Sequence, residues 1–475
     1  MYKIRIETLG CRLNQIESES IAKLFIDEGY EVSMESVTSK SLIESDTSIC
    51  IINTCTVTQK AEQKARRIIR LMLQKFPDSV VVVTGCYAQL AAKEIGKIDR
   101  RICVIPGQIK SRLEKLPKIF KEHNSIFEWD PVDFAEKIRE ELLTLPVLKK
   151  DFPENSFRLS TSSFIAHSRA SLKIQDGCNN NCSFCAIHIA RGHSVSIPVE
   201  TALLRVRELE RAGQAEVVIT SVNLGQYKSE YEGKEIRFPA LLKLMLEQTK
   251  NIKFRISSLY PELVDDEFCD AISDERVQPH FHLSVQSGSN KILKAMNRLY
   301  TAEDVANACD KIRSVKKEPF IACDIITGFP GETDKDFEQT MELCRKCDFA
   351  WVHAFPYSER PGTAAAIMKN KVPQNLSGER GTELTNFAVE NKIKYIKKFT
   401  GKKLSAVLET SRRQNSLVSK QIEYVYHAVT DNFIHCEIKS QSDLGNLTKV
   451  EIELLDVLPD HIQKGGEIEA SAKIF

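Results

Sequence analysis

No apolar run in this sequence approaches the roughly 18 residues needed to cross a bilayer; its apolar stretches are short, such as the four valines Val80–Val83. The chain also lacks an excess of either charge. Its 66 Lys and Arg residues face 65 Asp and Glu, a formal net charge of +1. Bulk electrostatics therefore neither argue for a nucleic-acid partner nor exclude one, and only a local patch would. Solenoid-type repeats and low-complexity tracts are missing as well. The opening "MYKIRIETLG" is charged and alternating, so no signal peptide and no membrane partner are expected, and the expected compartment is the cytoplasm.

What is present is an ordinary globular profile, 42% apolar and 28% charged, in 475 residues. That length is too great for one core and implies two to four domains. The chain carries 14 cysteines. Cytoplasmic thiols are held reduced, so these divide into buried structural thiols and metal ligands.

Short strands alternating with helices open the chain: "KIRIETLG", a helical run over Ile16–Tyr30, "SICIINT", the helical Lys60–Phe76, "VVVVTG", a helix near Ala91–Ile98, "RICVIPG", and a basic helix over Lys110–His123. This pattern predicts a parallel α/β sheet with covered faces over residues 1–123. Residues 124–168, with Pro131, Pro146 and Pro153, read as a linker. The βα rhythm returns over 169–398, with strands at "RASLKI", "AEVVIT", "KFRISSL", "HFHLSV", "FIACDII" and "WVHAFPY", enough for a partial or closed (βα) barrel. Residues 399–475 hold five short strands and predict a small all-β barrel.

Cys11, Cys55 and Cys86 each follow the carboxyl end of a predicted parallel strand, the edge where such sheets bind ligands. The three are expected to meet in space. A second set, Cys178, Cys182 and Cys185, has C-x3-C-x2-C spacing in "DGCNNNCSFCAIHIARG". Four thiolates are usual for a [4Fe–4S] cluster. Three leave one iron with an open position, which S-adenosylmethionine (SAM) can occupy before one electron cleaves its C–S bond. Cys50 and Cys103 lie inside strands and read as core. Cys344 and Cys347 form a C-x2-C within a helical segment and read as structural.

The strings "TLGCRLNQIESE", "INTCTVTQKAEQKARRIIR", "VVTGCYAQ", "RASLKIQDGCNNNCSFC", "HFHLSVQSGSNKILKAMNR", "DIITGFPGETDKDF" and "HAFPYSERPGT" resemble the radical SAM methylthiotransferases. The resemblance runs from the first strand to the last domain. It implies an N-terminal domain carrying an auxiliary [4Fe–4S] cluster on Cys11, Cys55 and Cys86, a radical SAM domain with the SAM-binding cluster on Cys178, Cys182 and Cys185, and a C-terminal TRAM barrel. It further implies SAM contacts at Phe184, Ser257, Ser258, Gln286, Arg298, Gly328, Gly331 and Glu332. No single catalytic side chain is assigned.

Of the three branches of that family, "GCRLNQ", "INTCTVT", "VTGCYAQ" and the segment around Thr430, Asn432 and Phe433 resemble the MtaB type, which methylthiolates C2 of N6-threonylcarbamoyladenosine at position 37 of tRNA. His282 and Ser287 depart from the branch acting on ribosomal protein S12. His188, Ile189 and Ser221 depart from the usual family pattern near the expected active site. The implied reaction uses two SAM molecules, one as methyl donor and one as radical source, with a flavodoxin- or ferredoxin-like electron donor. A radical route suits a C–H bond that no side-chain base ionises readily. The alternatives are the same chemistry on isopentenyl-adenosine, and a non-enzymatic iron–sulfur protein that binds RNA or senses redox state.

Physical support for an RNA partner comes from the lysines at 392, 394, 397, 398, 402 and 403, with Arg412 and Arg413 following. Of these, Lys397, Lys398, Lys402, Lys403, Arg412 and Arg413 are the expected phosphate contacts. A second basic series, Lys110, Arg112, Lys115, Lys118 and Lys121, reads as a solvated helix face.

Overall fold

Val80–Val83 have no solvent exposure. A strand buried on both faces belongs inside a parallel sheet covered by helices, and the computed structural model places it in one. The model describes residues 2–126, 128–146, 152–159, 169–415, 422–445 and 448–475; the side chains of 124–126, 410–415 and 422–423 lie outside that description. Strands β1 (Lys3–Thr8), β2 (Glu31–Ser33), β3 (Thr47–Thr54), β4 (Val80–Gly85) and β5 (Ile102–Val104) pair in parallel, in the order β2-β1-β3-β4-β5.

Alternate residues of these strands serve two cores. Ile49 and Ile51 face a cluster with Phe25 of α1 (Arg12–Asp27), whereas Cys50 and Ile52 face one with Ile68 and Met72 of α2 (Gln59–Lys75). Helix α2 starts where Thr58 Oγ1 accepts from the Ala61 amide at 3.1 Å, a cap worth about 1 kcal/mol.

The expected helix near Ala91–Ile98 is the shorter α4 (Ala92–Gly96), and a further short helix, α3 (Cys86–Leu90), precedes it. The expected basic helix begins as a 3-10 turn over Gly107–Lys115 before α5 (Leu116–Ile126). The larger departure lies in the stretch read as a linker. Residues Pro131–Leu143 form α6, capped by Asp130, and its Phe134, Ala135, Ile138 and Leu142 are buried in the α1 core. Asp followed by Pro is a helix-start signal, so Pro131 opens a helix here and does not break one. The rest of that stretch falls partly outside the described residues, at 147–151 and 160–168.

The middle of the chain contains all six expected strands. After β6 (Ala170–Lys173) come β7 (Gln175–Asp176), the helix α7 (Ile187–Arg191) and β8 (Val195–Ser196), which pairs antiparallel with β7. The repeat continues with α8 (Val199–Arg211), β9 (Glu216–Thr220), the hairpin of β10 (Lys228–Tyr231) and β11 (Lys234–Arg237), α9 (Phe238–Glu247), β12 (Lys253–Ile256) and α10 (Asp266–Ser273). It ends with β13 (His280–Gln286), α11 (Asn290–Ala295), α12 (Ala302–Val315), β14 (Phe320–Thr327), α13 (Asp334–Cys347), β15 (Trp351–Pro356) and α14 (Gln374–Lys397). Strands β6, β9 and β12 form one parallel sheet and β13–β15 another, joined by the bridges Phe254–Val277 and Leu259–Leu283. Among the described residues β6 and β15 do not pair, so the arc is a barrel open on one side.

Strands β16 (Lys403–Asn415), β17 (Ile422–Thr430), β18 (His435–Ser440), β19 (Lys449–Val457) and β20 (Ala470–Ile474) close into a barrel in the order β16-β17-β18-β20-β19. Closure removes unpaired strand edges. The last segment therefore has the small all-β barrel expected of it.

Candidate functional site

Strands β1, β3 and β4 are neighbours, so the residues just past their carboxyl ends are neighbours too. Cys11, Cys55 and Cys86 occupy those places. Two glycines allow the approach. Gly10 has φ +103°, and a Cβ there would lie 2.4 Å from Cys55 Cβ and 2.7 Å from its Sγ. Gly85, at φ +97°, would meet the Thr54 carbonyl at 2.3 Å. Cys55 and Cys86 are buried and Cys11 is exposed. Burial, followed by the neighbouring Cys86 and Cys11, pushes the Cys55 thiol up to about 11. Burial also raises Cys86, against the pull of Arg191 and Lys110.

Cys178, Cys182 and Cys185 lie on the loop between β7 and α7. Ser183 N donates to the Met296 carbonyl at 3.0 Å, Ser183 Oγ to Ala295 O at 2.8 Å, and Asn297 Nδ2 to Asn181 O at 2.8 Å. These bonds pin the loop to the end of α11. The Ile187 amide points at Cys185 Sγ over 3.4 Å. Burial pushes the Cys185 thiol up to about 12. Among the described residues only Glu409, His427 and His435 put three ligand atoms within 4.8 Å of one another. Neither thiol set meets that criterion for a single ion. The His427–His435–Glu409 group is already bonded internally, with His427 Nε2 2.8 Å from His435 Nδ1.

Between the two thiol sets lies a buried charge network that the sequence reading missed. Glu17 and Lys173 have no side-chain exposure, and Asp176, Arg191 and Lys110 are nearly as buried. Lys173 Nζ lies 2.9 Å from Glu17 and 2.6 Å from Asp176; Arg191 Nη1 lies 2.8 Å from Asp176 and 3.3 Å from Glu17; Lys110 also bonds Glu17. Burial alone would raise both carboxyls, yet the surrounding cations hold them well below the usual carboxylate range. Three cations against two anions leave one net positive charge beside Cys11 and Cys86. The signal was available: Glu17 sits on the apolar stripe of α1, with Leu13 and Ile21 one turn either side. Lys110 and Arg112, read as parts of a solvated face, are buried, Arg112 bonding Glu154 at 2.8 Å.

The candidate SAM contacts are distributed over three places. Phe184 and Gln286 line a cavity of about 240 Å³ with Phe355, Tyr357 and Arg360. Ser257 and Ser258 line another of about 350 Å³ with Cys11, Arg12 and Ser221. Arg298 is stacked on Tyr260 at 4.7 Å and Phe184 at 5.5 Å, and its Nε and Nη1 are buried without a hydrogen-bond partner among the described residues. Gly328, Gly331 and Glu332 line neither cavity. Glu332 instead accepts from the Gly328 amide at 2.9 Å and from Arg380 at 2.6 Å. Of the departures from the family pattern, Ser221 Oγ and His188 Nδ1 are buried without hydrogen-bond partners among the described residues, and the Ile189 carbonyl accepts from Gln108 at 3.1 Å.

Of the basic groups, Lys397, Lys398, Lys402 and Lys403 are exposed, with Lys398 3.4 Å from Glu318 and Lys403 packed on Phe475 at 3.8 Å. The side chains of Arg412 and Arg413 lie outside the described ones. Lys392 departs from the expected stripe: it is buried, pairs with Glu469 and lies 4.5 Å from the Trp351 ring. A third cavity, of about 780 Å³, lies between the open barrel and the last five strands. It shares Arg12, Arg169, His280, His282 and Phe433 with the cavity beside Cys11. Burial pushes His353 in its wall down to about 4, so that imidazole is neutral.

Residues 172–344 match the Radical SAM superfamily, and residues 3–107 match the Uncharacterized protein family UPF0004. The chain is 42% identical to the threonylcarbamoyladenosine tRNA methylthiotransferase MtaB of Treponema pallidum, over 86% of this chain and 92% of that protein. Identity to the MtaB of Thermotoga maritima is 35%, over 94% and 96%. It is 30% to the tRNA-2-methylthio-N(6)-dimethylallyladenosine synthase of Acinetobacter baumannii, over 96% and 93%. Among solved structures, the radical SAM methyltransferase TsrM from Kitasatospora setae shares the fold at TM-score 0.50 and 14% identity, covering 77% of each chain.

Proposed function

Because the chain belongs to the MtaB-type tRNA methylthiotransferases of the radical SAM superfamily, we propose that it methylthiolates C2 of N6-threonylcarbamoyladenosine at position 37 of tRNA, with two iron–sulfur clusters held by the six named cysteines. It is a radical SAM enzyme acting on tRNA. The observation that carries the finer reading is that one cavity is lined both by Cys11 and by Ser257 and Ser258, which lie just past the carboxyl end of barrel strand β12. A group held at the sheet edge and a group held in the barrel would then address the same substrate atom. Identity of 31–42% across several MtaB proteins, against 30% for the dimethylallyladenosine synthases, favours the threonylcarbamoyl substrate over the isopentenyl one.

When bound, the clusters and SAM supply the electron, the radical and the methylthio group. The chain's own residues bind and orient. Cys11, Cys55 and Cys86 would hold one cluster and Cys178, Cys182 and Cys185 the other. Phe184, Gln286, Ser257, Ser258 and Arg298 would seat SAM, the unpartnered guanidinium edge of Arg298 meeting its carboxylate. Gly328, Gly331 and Glu332 would shape that seat from outside, Glu332 by fixing the loop to Arg380. The buried network keeps a positive charge next to anionic thiolates and links the two ligand loops. Thr56, beside Cys55, accepts from Arg360 at 2.6 Å, which ties that loop to the barrel. Residues 1–123, 169–398 and 399–475 would act as sheet, barrel and tRNA-holding units, with Lys397, Lys398, Lys402, Lys403, Arg412 and Arg413 on phosphates. The reductant would be a flavodoxin- or ferredoxin-like protein, and the compartment the cytoplasm. No helix among the described residues is long and apolar enough to cross a membrane.

The test is mass spectrometry of tRNA nucleosides from a strain lacking the gene. The methylthio derivative of threonylcarbamoyladenosine should vanish and return on complementation, and loss of the isopentenyl derivative instead would reassign the substrate.

A further inference from the structure

The 350 and 780 Å³ cavities share Arg12 and Arg169, and Arg255 lines the smaller of the two, so three arginines stand there in two different states. Arg255 is satisfied by Glu216, with contacts of 2.6 and 2.8 Å. Arg169 lies 2.6 Å from Glu409 and 3.7 Å from Glu216. Lys392, which lines only the 780 Å³ cavity, pairs with Glu469. Arg12 differs. Its Nη1 donates to the neutral Ser171 hydroxyl at 3.2 Å, and among the described residues no carboxylate lies within ion-pair distance of it. The remaining acid lining the 780 Å³ cavity, Glu467, is exposed. A half-buried guanidinium with five donors and one neutral acceptor has unused capacity. Leaving a charge in that condition is costly, and an incoming anion would relieve the cost.

Arg12 follows Cys11 directly, and both line the 350 Å³ cavity, while Arg12 also lines the 780 Å³ one. A substrate whose reacting carbon approaches the Cys11 side would bring any anionic substituent a few atoms away next to Arg12. The threonylcarbamoyl group carries one carboxylate on the same edge of the base as C2, whereas an isopentenyl group carries none. We infer that Arg12 receives the threonyl carboxylate of the modified adenosine and so sets the preference for a threonylcarbamoyl over an isopentenyl side group. This rests on the substrate reading given above and adds to it the residue that enforces the choice. Guanidinium matches carboxylate with two parallel bonds. A site built for such a group rejects the analogue lacking it, because its own polar atoms are then left unpaired.

The experiment uses anaerobically reconstituted full-length enzyme and anticodon stem-loops carrying threonylcarbamoyladenosine or its carboxyl methyl ester. Wild-type enzyme is expected to bind the acid about 10- to 100-fold more tightly than the ester, the range of a charge-assisted hydrogen bond. R12Q is expected to bind the two within about twofold of each other, and R12K to keep a ratio of a few-fold. Equal wild-type affinities, or a full wild-type ratio in R12Q or R12K, would overturn the assignment. Where R12Q loses its iron, the wild-type and R12K arms decide. Failure of the underlying substrate reading looks different: wild-type enzyme then forms no methylthio product from the threonylcarbamoyl stem-loop and does form it from the isopentenyl one.

Discussion

Arg191 Nη2 donates to Asn14 Oδ1 over 2.7 Å, across 177 residues of sequence. Asn14 in turn donates to the carbonyls of Leu9 and Thr54, at 2.8 and 3.1 Å, just before Cys11 and Cys55. One side chain of the C-x3-C-x2-C region thus holds the loops that carry the other thiol set. The two halves of the site are a single mechanical object.

Cluster content follows from that arrangement. Wild-type enzyme is expected to hold about eight irons per chain. Replacing Cys178, Cys182 and Cys185 by Ala should leave about four and abolish 5′-deoxyadenosine formation. Iron falling to zero in that variant would mean that the sheet-edge thiols hold no cluster of their own.

The converse variant separates the half-reactions. With Cys11, Cys55 and Cys86 replaced by Ala, reductive cleavage of SAM should persist and methylthio product should disappear. Product formed at the wild-type rate would end the two-cluster reading.

Gly10→Ala tests the geometry behind the first set. A left-handed φ costs an L-residue about 1–2 kcal/mol, and the added methyl would overlap Cys55. The expected result is lowered stability with iron reduced toward four per chain, read by urea unfolding and iron assay. A fully loaded variant would show that the sheet edge yields more readily than its contacts indicate.

Acid should weaken the fold in a defined window. Burial raises Glu216, but Arg255 and Arg169 outweigh it and bring the carboxyl to about 2 from 4.5. Glu17 and Asp176 are lowered in the same sense. Groups depressed in the native state stabilise it above their unfolded pKa and lose that contribution as pH falls through the native one. Denaturant midpoints should therefore hold near neutrality and decline progressively from about pH 4.5 downward. Glu17→Gln, which leaves Lys110 and Lys173 without part of their compensation, should cost about 3–5 kcal/mol at neutral pH. An unchanged midpoint would contradict the network's role.

The exposed lysines predict a salt-dependent tRNA affinity. Charge reversal at Lys397, Lys398, Lys402 and Lys403 should weaken binding and flatten its salt slope, measured at two or more ionic strengths. Identical slopes would move tRNA recognition away from this surface.

The elements of this fold were legible where the pattern was periodic. The valines of β4 announced a buried strand, and the six barrel strands and five closing strands all stand on the short apolar runs read as strands. The thiols were legible because position after a parallel strand carries functional meaning. Helix α6 was not, since its Pro131 starts a helix as readily as it breaks one. Nor was the state of individual charges. Lys110, Lys392 and Glu17 look like surface residues by type, and only the tertiary packing that brings their partners together decides that they are buried.

The network joining Glu17 and Lys110 to Lys173, Asp176 and Arg191 also bears on how the chain is made. A ribosome that has released only the first 123 residues presents Glu17 with Lys110 but without two of its three cations. The sheet at that stage encloses an under-compensated acid, and burying it is disfavoured. Roughly 70 further residues must emerge before Arg191 arrives, a delay of about 4–14 s at ~5–20 residues per second. During that interval the face of α1 that will meet the barrel stays open, and Glu17 on it waits for the two cations that complete its compensation.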